Sequence, residues 1–261
     1  MEVIIKESKD QASLLAARII SRIIREKKNA VLGLATGSTP LQLYQELIRM
    51  HREEELSFRT VKAFNLDEYV GIPPSNPASF TSFMHGNLFR HIDIPPENIN
   101  IPDGCSPDID LTCDAYEEKI KEAGGIDLQV LGIGRDGHLA FNEPSSSLSS
   151  RTRIKTLTSV TKKANSESFG GEDKVPCHVI TMGLGTIMDA RCCLLLAFGS
   201  NKAEAAKAMV EGPVSASYPA SILQFHEQAI VLLDSEASSL LHRRDYYREV
   251  YDGKPSWQKW E

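Results

Sequence analysis

The sequence predicts an α/β domain in which helices cover both faces of a mainly parallel sheet. Apolar runs of strand length alternate along the chain with amphipathic stretches of helix length. The apolar runs lack the strict alternation of strands that expose one face to water, which favours parallel strands buried on both faces. The 261 residues contain no repeat, low-complexity tract or linker that would divide them. We therefore expect a single domain over residues 1–261, a length that one large α/β domain commonly reaches.

The individual elements follow from the same patterns. The apolar runs predict strands over residues 3–5, 31–34, 61–65, 128–133, 192–198 and 230–233. Apolar residues that recur every three or four positions predict helices near residues 16–23, 40–50, 79–90, 111–123, 202–210 and 236–251. Residues 93–110 are expected to form a connection, residues 166–176 a mobile loop, and residues 236–261 a C-terminal helix and tail.

The composition excludes several classes of partner. The net charge of −6 argues against nucleic acid or an anionic membrane surface as the main partner. No run approaches the roughly 18 apolar residues of a membrane span, and the N-terminus lacks the features of a signal peptide. The five cysteines are odd in number and show no C-x-x-C spacing, which favours reduced thiols over a disulfide framework. These features together predict a cytoplasmic protein.

Four polar or glycine-rich turns each follow a predicted strand. They cover residues 36–40, 67–69, 132–138 and 199–202. Ligands of open α/β sheets bind in a crevice at the carboxyl ends of the strands. The four turns are therefore expected to converge on one crevice.

Two of these turns suit a phosphate group. Thr36, Gly37, Ser38 and Thr39 combine three hydroxyls and a flexible glycine with the start of a helix, whose N–H groups and dipole attract anions. The alternative is an ordinary turn in which Ser38 or Thr39 caps the helix. Lys202 can bring a positive charge to the same anion, and the alternative is a solvated lysine in the first turn of a helix.

The turn at 132–138 and its continuation carry the densest group of reactive side chains. His138 lies two residues after Asp136 and five before Glu143, so carboxylates can orient the imidazole and set its charge. A satisfied loop histidine is the alternative. A metal site would need a third ligand at a recognisable spacing, which the sequence lacks, so no metal is expected. After another strand, Asp67 or Glu68 could serve as a general base, and the residues alone do not choose between them.

A second anion site is suggested by basic residues later in the chain. Arg151, Arg153 and Lys155 alternate at a period of two, so they could line one face of a strand beside the serines at 145–147. A solvated basic edge strand explains the pattern equally well.

Three separated motifs resemble the signatures of the glucosamine-6-phosphate deaminase family. They are LATGSTP at 34–40, FNLDEYVG at 64–71 and GIGRDGHLAFNEP at 132–144, and the similarity runs in the same order over roughly residues 1–235. The resemblance implies a Rossmann-like sheet with a mobile lid at about 153–183. It also implies a cofactor-free hydrolase or isomerase that converts glucosamine 6-phosphate to fructose 6-phosphate and ammonia in N-acetylglucosamine and other amino-sugar catabolism.

The resemblance also implies a role for each candidate residue. Asp67 would move a proton from C2 to C1 of the sugar. His138, oriented by Asp136 and Glu143, would assist opening of the pyranose ring. The turn at 36–39 and Lys202 would hold the substrate phosphate.

Hexameric members of the family bind N-acetylglucosamine 6-phosphate as an activator at a second site. Ser146, Ser147, Arg153 and Lys155 match the phosphate site of that activator. Such a site requires neighbouring subunits, and the sequence leaves open whether this chain forms a homo-oligomer.

One position departs from the family pattern. Glu167 stands where the lid usually carries an arginine that reaches the substrate phosphate. A carboxylate there would repel the phosphate, so the lid must close differently or use Lys162 or Lys163.

Two other functions remain as alternatives. A 6-phosphogluconolactonase-like hydrolase shares the fold and a similar G-x-G-x-D-G-H stretch, but that family usually lacks the NLDEY and NEP motifs found here. A non-catalytic sugar-phosphate sensor is consistent with the missing lid arginine, but the intact catalytic set disfavours it.

Overall fold

A computed structural model describes residues 1–260, which form ten strands and eight α-helices. The strands are β1 (Glu2–Ile5), β2 (Val31–Leu34), β3 (Lys62–Asn65), β4 (Asp67–Tyr69), β5 (Ile99–Asn100), β6 (Leu128–Gly132), β7 (Arg153–Thr156), β8 (His178–Thr181), β9 (Cys193–Ala197) and β10 (Ala229–Leu233). The helices are α1 (Lys9–Glu26), α2 (Leu41–Glu53), α3 (Phe80–Asn87), α4 (Ile109–Glu122), α5 (Ser159–Phe169), α6 (Leu184–Met188), α7 (Ala203–Glu211) and α8 (Arg244–Asp252). Within residues 1–260, no helix is both long enough and apolar enough to cross a membrane.

Seven strands form one parallel sheet in the order β1-β10-β9-β6-β2-β3-β5. Every residue of β9 and β10 is buried, so these strands need helices on both faces of the sheet. The helix α1 supplies part of this cover, and its Leu15, Ile19 and Ile20 are buried in the main core. The predicted single α/β domain with a mainly parallel sheet is confirmed.

A second, three-stranded sheet has the order β4-β8-β7 and is antiparallel. Its strand β4 follows β3 almost directly, and Asp67 of β4 pairs with Thr181 of β8. A small apolar cluster, separate from the main core, contains Tyr69 and Val179 and has Phe169 packed against it. The ring centroids of Tyr69 and Phe169 are 5.0 Å apart. This sheet therefore connects the strand that carries Asp67 to residues 153–183.

The six predicted strands are confirmed, whereas the short elements were missed. The strand β5 lies inside the predicted connection at 93–110, and β4 and β8 are only three and four residues long. The predicted loop at 166–176 begins with the last turn of α5. The last helix begins at Arg244 rather than near residue 236, because the Asp234 carboxylate accepts the N–H groups of Ala237 and Gly199 and fixes a turn there.

Candidate active site

The four predicted turns lie together at one edge of the parallel sheet. The strands β9, β6, β2 and β3 are consecutive neighbours, so their carboxyl ends meet at the same edge. Contacts between the turns join them: the Lys202 Nζ donates a hydrogen bond of 2.7 Å to the Ile133 carbonyl, and the Thr36 side chain lies close enough to the Asp67 carboxyl to lower its pKa. The predicted convergence of the four segments on one edge of the sheet is confirmed, although residues 67–69 form the strand β4 rather than a turn.

Asp67 is a buried carboxylic acid with spare hydrogen-bonding capacity. Its side chain is 5% exposed, and its Oδ1 has no hydrogen-bond partner within residues 1–260. Burial raises the pKa of Asp67 from its ordinary value of 3.8 to about 8, with a further contribution from the negative charge of Glu68. The hydrogen bond from Thr36 opposes this rise only in part. A carboxyl group with such a pKa can both accept and return a proton near neutral pH.

Glu68, the neighbouring carboxylate, is committed to the backbone. Its Oε1 accepts the N–H groups of Tyr69 and Phe80 at 2.9 and 3.0 Å, and its Oε2 accepts the N–H and the hydroxyl of Thr81 at 2.9 and 2.8 Å. These bonds hold the start of α3, where a negative charge is also favoured by the helix dipole. Of the two carboxylates that the sequence left open, the geometry therefore leaves Asp67 as the one with a free oxygen.

His138 and Asp136 form a pair on the glycine-rich turn after β6. The His138 Nδ1 lies 2.6 Å from the Asp136 Oδ1, although the two atoms are not aligned as a hydrogen bond. The Asp136 carboxylate also accepts the backbone N–H of His138 at 3.3 Å. The imidazole ring lies directly over Gly134, where an added Cβ would be 2.2 Å from the ring. A residue with a side chain at 134 would displace the imidazole.

Glu143 is bound by helix α5 rather than by His138. Its Oε1 accepts hydrogen bonds from the hydroxyls of Thr161 and Thr158, the latter at 3.3 Å. Within residues 1–260, these two hydroxyls are the hydrogen-bond partners of the Glu143 side chain. No direct contact between Glu143 and His138 in this structure supports the expectation that Glu143 orients His138.

The predicted phosphate turn leads into a helix without a side-chain cap. The N-cap position of α2 is Pro40, and no side chain accepts a hydrogen bond there, so the prediction that Ser38 or Thr39 caps the helix is wrong. Gly37 has a φ of 91°, which a residue with a Cβ rarely adopts. The start of α2 is therefore open to an external acceptor, as an anion site requires.

The turn at 199–202 can contribute the Lys202 side chain to the predicted phosphate site, but not its backbone N–H groups. The N–H groups of Gly199 and Ser200 donate to the carboxylates of Asp234 and Glu236, at 2.9 and 3.1 Å. Lys202 lies in a short 3₁₀ turn before α7, not in the helix as predicted. Burial, followed by the nearby charge of Arg135, lowers the pKa of Lys202, while Asp136 opposes this effect. An anion would relieve the repulsion between the two cations.

Sequence reasoning missed two cationic residues near this crevice. Lys9, at the start of α1, donates from Nζ to the Ser38 carbonyl at 3.3 Å, and its Nζ is 5.9 Å from the ring centre of Phe198. It therefore lies between the turn at 36–39 and the turn at 199–202. Arg135 is exposed on the glycine-rich turn. The motif around Arg135 could have signalled it, whereas nothing in the sequence near Lys9 points to the crevice.

The second predicted anion site is only partly assembled. Arg153 and Lys155 lie on β7, but Arg151 precedes the strand and forms ion pairs of 2.7 and 2.6 Å with Glu117 and Asp189. Ser146 is buried, and its hydroxyl has no partner within residues 1–260. Ser147 bonds to Ser149 at 3.1 Å.

Comparison with known proteins identifies the family. Residues 6–232 match the family described as glucosamine-6-phosphate isomerases/6-phosphogluconolactonase. The chain belongs to this family. Among family members, a glucosamine-6-phosphate deaminase of Hahella chejuensis is 54% identical over 250 residues, or 96% of this chain and 95% of that protein. A glucosamine-6-phosphate deaminase of an Arthrobacter species is 51% identical over 258 residues and 99% of each chain.

Two solved structures have the same fold as this chain. A structure described as a monomeric glucosamine-6-phosphate deaminase has a TM-score of 0.90 and 44% identity, and the match covers 92% of this chain and 100% of that one. A 6-phosphogluconolactonase from Trypanosoma cruzi has a TM-score of 0.74 at 22% identity over 92% of this chain and 97% of that one, so it shares the fold alone.

Proposed function

We propose that this protein isomerises and deaminates glucosamine 6-phosphate to fructose 6-phosphate and ammonia. The observation that carries the proposal is the buried Asp67 carboxylate, whose pKa of about 8 and free Oδ1 suit a proton shuttle. The relatives at about half identity over nearly the whole chain, which are named deaminases, support the same substrate. Isomerisation with deamination describes this reaction better than the hydrolase class that the sequence also suggested.

The proposed reaction begins with opening of the sugar ring. The His138 imidazole, held beside Asp136, transfers a proton at the ring oxygen and exposes C1 as an aldehyde. Asp67 then takes the proton from C2, which gives an enolamine, and returns a proton to C1. Water replaces the nitrogen at C2, and the nitrogen leaves as ammonia. Glu143, which is bound by α5, is the remaining carboxylate that we propose as an acid–base group of the site.

The phosphate of the substrate is proposed to bind between the start of α2 and Lys202. Support comes from the uncapped N-terminus of α2, the hydroxyls of Thr36, Ser38 and Thr39 in the same turn, and the partly desolvated Lys202 ammonium. Phosphate binding there would position C1 and C2 through energy supplied far from the reacting carbons. Lys9 can replace part of the charge that the usual lid arginine supplies, since Glu167 stands at that position.

Several finer properties are also proposed. The five cysteines are unpaired, which supports a cytoplasmic location in which thiols stay reduced. We also propose a site for N-acetylglucosamine 6-phosphate in a homo-oligomer, formed by Ser146, Arg153 and Lys155. The unpartnered Ser146 hydroxyl supports this site. The predicted lid at 153–183 remains a proposal.

The test is release of ammonia and fructose 6-phosphate from glucosamine 6-phosphate by chelator-treated protein, beside Asp67→Asn. We expect equal amounts of both products, and a loss of at least about a hundredfold in the variant, because general-base catalysis contributes that much or more. Asp114→Asn, an exposed position on α4, is the matched control and should retain full activity. Folded wild-type protein that binds the substrate without releasing ammonia would instead support a sensor, and hydrolysis of 6-phosphogluconolactone would support the lactonase.

A further inference from the structure

Two threonines at the start of helix α5 hold the Glu143 carboxylate. Thr161 Oγ1 and Thr158 Oγ1 both donate to Glu143 Oε1. Thr158 is also the N-cap of α5, and its hydroxyl oxygen accepts the Thr161 N–H at 3.3 Å. The carboxylate therefore bonds to the same turn that begins the helix.

Few other contacts fix the position of α5. None of its eleven residues is buried, and a helix of this length is marginal in water by itself. Elsewhere along the helix, Lys162 Nζ donates to Cys177 Sγ at 3.2 Å, and the Phe169 ring packs on Tyr69 at its end. Directly before the helix, the buried Leu157 donates its N–H to the Cys177 carbonyl at 2.9 Å, and the bond to Glu143 is a second attachment at the N-terminal end.

The donors in this cluster cannot easily be replaced. Each hydroxyl has one proton, and the two hydroxyl oxygens also lie 3.0 Å apart, so a proton that Thr158 donates to Thr161 is not available to Glu143. If Thr161 loses its hydroxyl, Glu143 keeps only the bond of 3.3 Å from Thr158. An acid–base group that is misplaced by about 1 Å can cost about a hundredfold in rate.

We infer that Thr161 is a positioning residue, which couples the placement of α5 to the orientation of the Glu143 carboxylate. The inference rests on the proposed function for its kinetic consequence, but the coupling itself is a property of the folded chain. It makes seating of α5 and alignment of Glu143 a single event, so each stabilises the other to the same extent.

The kinetic test compares Thr161→Val, which removes the hydroxyl and keeps the shape, with Thr161→Ser, which keeps the hydroxyl. Loss of a hydrogen bond to a charged group predicts about a tenfold fall in kcat for the valine variant. KM should change little, because the phosphate-binding residues lie on other elements. The serine variant should restore kcat, and Thr156→Val, at an exposed position of β7 with no side-chain hydrogen bond, is the matched control.

A second test does not depend on turnover. Amide hydrogen exchange over residues 159–169 should speed up in Thr161→Val and in Glu143→Ala, and the double variant should exchange no faster than the single ones. If Glu143→Ala leaves exchange in α5 unchanged, or if Thr161→Val matches the wild type in both kcat and exchange, the inference is wrong while the proposed function stands. A wild-type protein that releases no ammonia overturns the proposed function, and the exchange result still decides the coupling.

Discussion

Replacing Asp67 with asparagine changes how the free energy of unfolding depends on pH. The pKa of Asp67 is about 8 in the folded protein and 3.8 in the unfolded chain. At pH values between these two pKa values, the folded chain keeps a proton that the unfolded chain has lost. The stabilising contribution of this proton is fully present below pH 3.8 and is lost as the pH rises towards 8. Within that window the slope is about 1.4 kcal/mol per pH unit, so from pH 5 to pH 7 wild type loses about 2.7 kcal/mol relative to Asp67→Asn.

Urea unfolding of both proteins at pH 5, 6 and 7, in a phosphate-free buffer at constant ionic strength, measures this difference. Phosphate is excluded because we propose that it binds at the start of α2, and binding to the folded protein would itself add stability. The exposed control Asp114→Asn should differ from wild type by the same amount at all three values. A constant difference between wild type and Asp67→Asn would show that Asp67 is ionised in the folded protein and would refute the reasoning.

Three further predictions concern the same crevice. The value of kcat/KM should rise with pH through an apparent pKa near 8, because Asp67 must be ionised to accept the C2 proton, and a flat profile between pH 6 and 9 would contradict this. Glu68→Gln should shift that rise to lower pH by removing a negative charge, and urea unfolding should show a loss of about 1–3 kcal/mol from the weakened bonds to α3. Lys202→Met should raise KM about tenfold or more in steady-state assays. Lys9→Met should raise KM by less, because water screens the half-exposed charge of Lys9. An unchanged KM in Lys202→Met would show that Lys202 does not bind the substrate phosphate.

The main sheet could be predicted from the sequence because burial on both faces leaves a strong local signal. Strands such as β9 and β10 are continuous apolar runs, and each is followed by a turn that breaks the pattern. The second sheet leaves no such signal. In β7 half-buried positions alternate with exposed ones and none is buried. The strand β4 consists of Asp67, Glu68 and Tyr69, which have the pattern of a polar turn until their pairing with β8 is known.

The sequence could predict which segments lie together at the sheet edge, but it could not predict the contacts of their side chains. Parallel topology placed the four turns at one edge, and that depends only on strand order. The choice between Asp67 and Glu68 required the positions of the N–H groups of Phe80 and Thr81, which are more than ten residues away in the chain. The attachment of Glu143 to Thr161, eighteen residues later, likewise depends on how α5 packs.

The pairing of β4 with β8 limits which part of residues 153–183 can move during a catalytic cycle. The backbone of Asp67 is registered with Thr181, and Tyr69 with Val179. If the whole segment swung away, it would pull on the strand that carries the proposed proton shuttle and would move the base relative to the sugar. Motion that keeps the base in place must therefore pivot after Leu157, whose N–H still donates to the Cys177 carbonyl, and at the paired glycines Gly170 and Gly171, whose φ values of 68° and 149° few other residues adopt. The moving part would then be α5 alone, and β8 would belong to the stationary frame.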